Sequence, residues 1–194
     1  MLGPKDTLKR YLQSHREALL WKLDGLGERE LRWPMTPTGT NLLGLVKHVG
    51  SIEFGYFGEV FGRPAAEPMP WHEPDAEDNA DMWATVDESR EWVVDFYRRA
   101  WAHADGTIDA LDLEAPGRVP WWGEKGDVTL HQIMVHVIAE TARHAGHADI
   151  VREMTDGQTG MRDGNTNVPS HEEQWWTSYV EKLQRAAEEA QSQA

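Results

Sequence analysis

The feature that most constrains the fold is a helical stripe that should be apolar and is not. Ile133, Val137, Glu140, His144, His147 and Val151 follow one another at steps of four and three, the spacing of one buried face of a helix. The stripe begins and ends apolar and becomes ionisable in the middle. Burying such groups is costly unless they are hydrogen-bonded or hold a metal. His48 occupies a similar place on an earlier helical stretch, between Leu45 and Ile52. Two helices offering inward His and Glu side chains is the layout of a metal site in a helical bundle.

The rest of the chain reads as helix almost throughout. Leu8, Leu12, Leu19, Leu23 and Leu26 recur at helical spacing, and Gly25 and Gly27 mark a stop. A second helix is predicted from about Asn41 to Phe61, with Thr38 or Thr40 as N-cap. Residues 62–81, rich in Pro and acid, read as a long surface loop. A third helix is predicted from near Thr85, which has capping-box spacing to Glu88, with Val86, Val93, Phe96, Ala100 and Trp101 facing inward. Residues 106–127 are irregular. Thr129 and Gln132 open a fourth helix that runs to about Met154, and Ser170 with Glu173 opens a last one. The pattern predicts an all-α, up-down-type four-helix bundle over residues 1–160. A linker and a C-terminal helix packing on that bundle occupy 161–194.

Length suits one domain with its own core. The net charge of −14, spread along the chain, argues against nucleic acid, which needs a basic patch. There is no cysteine, which excludes disulfides, a thiolate nucleophile and Cys-ligated zinc. A metal must therefore sit on nitrogen and oxygen donors, and any thiol in the chemistry must come from a small molecule. No signal segment or transmembrane run is apparent, so a cytoplasmic protein without membrane contact is expected. Of ten tryptophans, most are expected in the core; Trp33, Trp121 and Trp122 are candidate pocket walls.

On a helical wheel His144 and His147 flank Glu140 on either side. An i, i+4 pair chelates one ion, and His48 from another helix would complete three ligands with an open position, the catalytic pattern. Spacing leaves open whether Glu140 or His147 partners His144. His136 is a fourth candidate, supporting the ligands from behind. A single one of these histidines would more often be a hydrogen-bonded core or surface residue; several together are costly to bury without a metal. Such donors fit zinc first, with nickel, iron(II) and cobalt compatible. Arg143 and Arg152 read as helix-surface ion pairs or as anchors for a carboxylate or a sugar thiol. Glu153 and Asp156 read as serving the helix end, and His15, His72, His103, His131 and His171 as ordinary.

The segments TGTNLLGLVKHVGSIEFGYF and ETARHAGHADIVREMTDG resemble the DinB superfamily, within it the subfamily long carried as a domain of unknown function. The resemblance runs from the first helix to about Gly160. It implies a four-helix bundle with a divalent metal near one end, its ligands falling on His48, Glu140 and His144. Glutamate at position 140 is similar to the mycothiol-dependent maleylpyruvate isomerase branch. Where many relatives have glutamine, this chain has His147. The resemblance further implies a metal-dependent enzyme that transfers or adds a low-molecular-weight thiol, such as mycothiol, to a small-molecule electrophile. A hydrolase using metal-activated water and a non-catalytic, stress-related metal-binding protein are the alternatives. A homodimer formed by bundle packing is also implied.

Overall fold

The computed structural model describes residues 2–192. Four long helices carry the architecture: α1 (Pro4–Trp21), α3 (Leu42–Phe57), α4 (Arg90–Ala110) and α5 (Leu130–Asp156), with a short α2 (Glu28–Arg32) between the first two. The all-α bundle predicted from periodicity is the fold observed. Each long helix starts where local chemistry satisfies its free amides. Pro4 occupies the first turn of α1. The Asn41 carboxamide accepts from the Gly44 amide at 2.8 Å, Ser89 Oγ from Trp92 at 3.1 Å, and Thr129 Oγ1 from Gln132 at 3.3 Å. Gly157, at φ 78°, closes α5 in the left-handed region.

Two boundaries differ from the sequence reading for a tertiary reason. α3 is capped by Asn41 rather than by a threonine, because Asn41 also donates to Met82 O at 3.1 Å across the fold. α4 starts at Arg90, five residues after Thr85. The Glu88 carboxylate does bond the Thr85 amide at 2.7 Å, but its other task is an ion pair with Lys47 of α3, and the turn is held off the helix. Val86, expected inside, is 91% exposed.

In the bundle, α3 packs against α4 and α5, and α1 packs against α5. One end of the core gathers Leu19, Leu42, Val46, Phe54 and Phe96; the other gathers Leu12, Phe57, Ile108, Ile133 and Val137. Each such side chain, fully removed from water, contributes about 1.5–3 kcal/mol. Between α1 and α3, buried Arg16 grips buried Glu53 through two hydrogen bonds of 2.9 and 2.5 Å, and also reaches Asp105 of α4 at 3.0 Å. This bidentate pairing fixes how three helices meet.

Two connections do more than link helices. Between α4 and α5, β1 (Pro116–Arg118) pairs antiparallel with β2 (Asp127–Thr129). Their tip is a 3₁₀ turn over Pro120–Lys125 that carries Trp121 and Trp122. The acid- and Pro-rich stretch between α3 and α4 is not the plain surface loop expected. Its Trp71 is buried and donates from Nε1 to Ser51 Oγ of α3 at 2.9 Å.

None of the residues of the last helix, α6 (Glu173–Ser192), is buried. Its apolar positions instead form a local ladder, with Trp175 stacked on His171 and on Tyr179 at ring separations of 3.8 and 5.1 Å. No helix among the described residues is long and apolar enough to cross a membrane.

Candidate functional site

The buried line of α5 runs through Ile133, Val137, Thr141, His144, Ala148 and Val151. It shares Ile133, Val137, His144 and Val151 with the predicted stripe but passes through Thr141 and Ala148 instead of Glu140 and His147. Packing on α1 and α3 rotates the small Ala148 inward. Glu140 is thereby left at the edge of the buried face, 31% exposed, and His147 faces solvent.

His48 and His144 meet across the α3–α5 interface, edge to face, with ring centroids 4.7 Å apart. His144 Nε2 lies 3.7 Å from Glu140 Oε2, beyond hydrogen-bond range, and its buried Nδ1 has no partner. Burial, with the neighbouring His48, His147 and Arg143, pushes His144 down to about 4. The imidazole is neutral at pH 7 and committed to no protein acceptor. The His147 ring is 5.4 Å from that of His144. The structure thus brings together His48, Glu140 and His144, with His147 on the outer side.

The sequence reading missed Asp81. Its carboxylate meets His48 Nδ1 at 2.5 Å. Burial works against its charge, but the His48 hydrogen bond and the nearby His48 and His72 outweigh that and hold it below the usual carboxylate range. Asp81 is placed by a clamp on α3. Lys47, only 2% exposed, pairs with Glu88 at 2.9 Å and donates to the carbonyls of Ala80 and Trp83 at 3.1 Å each. Gly44 lets the loop lie against the helix: a Cβ there would stand 1.8 Å from Met82 O. No periodicity marks such a loop. The only trace in the sequence is the unusual presence of Trp71, Met82 and Trp83 among acids and prolines.

A cavity of about 560 Å³ opens over His48, Asp81 and Glu140. Ile52, Tyr56 and Trp121 supply its apolar wall, and Glu59, His72 and His136 also line it. Trp121 stands edge-on to Tyr56 at 5.3 Å and lies over Gly55 of α3. Trp122 and His136 pack behind Tyr56. Of the tryptophans proposed as walls, Trp121 lines the cavity, Trp122 backs it, and Trp33 lies elsewhere under Arg29. His72, read as ordinary, belongs to the cavity. Arg152 does not: it is buried on Asp156 and the Lys22 carbonyl, and Arg143 is exposed outside the lining.

Among the described residues no three His, Asp or Glu side chains converge on one ion position. The donor chemistry nonetheless fits a borderline divalent ion. One imidazole has its Nδ1 taken by a carboxylate, as metal-bound histidines usually do. The second is neutral with no hydrogen-bond partner, and a carboxylate lies beside it.

No curated protein matches the chain. A crystal structure described as that of the conserved protein of a locus from Enterococcus faecalis aligns with a TM-score of 0.59 at 15% identity, covering 81% of this chain and 99% of that one. At that identity the likeness concerns the fold alone. A family profile described as Mycothiol-S-transferase matches residues 7–157, a span that includes His48, Asp81, Glu140, His144 and the whole cavity wall. The chain belongs to the mycothiol-S-transferase family, a DinB-like family.

Proposed function

We propose that this protein is a metal-dependent transferase that joins a low-molecular-weight thiol, mycothiol or a close analogue, to a small electrophile. The observation that carries the reading is the neutral His144, its Nδ1 buried without a partner, set directly behind His48 and Glu140, which themselves line an aromatic-walled cavity. Its occurrence in a chain of this family supports it, as does the lack of any cysteine to serve as an internal nucleophile. His48, Glu140 and His144 would hold the ion, zinc first. A divalent ion so held lowers the pKa of a thiol and makes it nucleophilic at neutral pH.

The remaining roles belong to the chain. Asp81 accepts the Nδ1 proton of His48 and keeps the Nε2 lone pair available. Burial keeps His144 unprotonated. Trp121, Tyr56 and Ile52 cover the body of the electrophile and exclude water from its reacting carbon. In a displacement, the S–C bond forms as the bond from carbon to the leaving group breaks. The leaving group departs with the bonding pair and the thiol proton passes to solvent. In an addition to a double bond, a proton ends on the neighbouring carbon.

The test is conjugation of mycothiol to monochlorobimane, followed by fluorescence, on protein purified without an affinity tag. Turnover should vanish on chelation, return with zinc, and be absent from His144→Ala. Conjugation that survives both chelation and His144→Ala refutes the metal reading. Consumption of the electrophile by water without thiol would instead make the protein a hydrolase.

A further inference from the structure

The charged groups lining the cavity are of one kind. Three carboxylates face it, Glu59, Asp81 and Glu140, together with His48, His72 and His136. No Lys or Arg lines it among the described residues. The cations on the flanking helices are turned to other work. Lys47, the one cation of α3, is spent on Glu88 and on loop carbonyls. On α5, Arg152 is buried against Asp156 and Arg143 points to solvent. Of the three carboxylates, Asp81 is engaged by His48 and Glu140 lies beside His144. Glu59 stands in the 3₁₀ turn after α3, exposed at the rim, and no ion pair to it is found among the described residues. A divalent ion bound at the floor balances only two of the three negative charges.

We infer that the electrophile taken by this site is uncharged or cationic with an apolar, flat body, that carboxylate-bearing substrates are rejected, and that Glu59 is the specificity-determining residue. The inference rests on the reading of the cavity as the substrate site. A carboxylate brought into it meets unbalanced negative charge and finds no guanidinium or ammonium to repay its desolvation. A planar, neutral or cationic group finds the Trp121 ring, 52% exposed, over which no cation sits among the described residues. Glu59 favours positive charge at the mouth without touching the reacting atoms.

Three unreactive probes of one shape separate these terms: para-toluamide, para-toluate and para-tolyltrimethylammonium. Each is titrated into the zinc-loaded full chain by tryptophan fluorescence, with Trp121→Phe identifying the signal that comes from the cavity. The amide and the ammonium should bind about tenfold more tightly than the toluate, a gap expected of one uncompensated charge at a partly exposed site. In Glu59→Arg, whose side chain is at the surface and whose fold is checked by circular dichroism, toluate should gain and the ammonium should lose. Toluate binding as tightly as the amide in the wild type, or an order of affinities unmoved by Glu59→Arg, overturns the charge inference while leaving the transferase reading in place. Failure of all three probes to perturb Trp121 removes the cavity as a substrate site and the inference with it. The matching para-substituted benzyl chlorides, assayed for conjugation to mycothiol, should fall in the same order.

Discussion

Lys47→Met cuts the clamp that places Asp81 while conserving the shape of the side chain. Methionine keeps the length and unbranched stem of lysine, so little volume is lost. What disappears is the ammonium: an ion pair of 2.9 Å with Glu88, two hydrogen bonds of 3.1 Å to the Ala80 and Trp83 carbonyls, and a cation held 4.1 Å over the Trp71 ring. Removing one partner of a buried pair costs about 3–5 kcal/mol. Glu88 remains 16% exposed and still bonds the Thr85 amide, which places the loss near the lower end, about 3 kcal/mol. For a domain of this size that is a fall in Tm of roughly 6–12 °C. The loop segment would keep Asn41 on the Met82 carbonyl and Arg32 on the Ala84 and Thr85 carbonyls, but it would lose its two anchors on either side of Asp81, at Ala80 and Trp83, and the hold of the Asp81 carboxylate on His48 would loosen. Loss of such a partner to a ligating histidine typically lowers metal affinity by about 10–100-fold. Calorimetric zinc titration at a temperature well below the variant's Tm reads that effect separately from stability. Pairing Lys47→Met with Glu88→Leu removes the orphaned carboxylate and should recover stability without recovering affinity. A Lys47→Met protein with wild-type Tm and wild-type zinc affinity refutes the clamp.

Other expectations address the site and its surroundings. His48→Ala, Glu140→Ala and His144→Ala should each abolish stoichiometric zinc binding with helical content retained, whereas His147→Ala should keep it; elemental analysis and circular dichroism decide. In the metal-free protein, depression of His144 to about 4 means that the folded state holds fewer protons than the unfolded chain between about pH 4 and 6.5. The stabilisation is therefore full above the upper value and is lost as pH falls through this window. Urea denaturation should show a loss of at most about 3 kcal/mol, and His144→Gln should flatten that part of the profile. Gly44→Ala drives a methyl into the Met82 carbonyl and should shift the Asp81 loop, weakening zinc binding more than the same exchange at exposed Gly106. Glu53→Gln leaves buried Arg16 with a neutral partner and should lower stability by about 3 kcal/mol, read as a shift in the urea midpoint.

Much of the bundle is legible because helix-forming signals are local. Leu12 and Leu19, Leu45, Phe96 and Ala100, and Ile133 and Val137 lie inside where their periodicity puts them. Thr129 caps α5 as its spacing to Gln132 implies. The pairing of His48 with His144 is legible for the same reason, since both lie on inward faces of helices that must pack. The rotation of α5 is not. A stripe one residue to either side, Glu140 and His147 or Thr141 and Ala148, satisfies helical spacing equally, and only the helices opposite choose between them. α6 shows the converse: amphipathic spacing identifies its apolar face but says nothing of what that face meets.

The sequence by itself determined that four helices would form, that two of them carry facing imidazoles and a carboxylate, and that any thiol must come from outside, because each is a matter of residue type and short-range spacing. Tertiary structure decided the rest of the site. Asp81, His72 and Trp121 come from segments with no period to read. They reach the cavity through single long-range contacts: Lys47 on the loop carbonyls, Trp71 on Ser51, and Trp121 over Gly55. A helix announces itself within seven residues, whereas a loop is placed by whichever distant group satisfies its backbone, and that group is known only once the chain has folded.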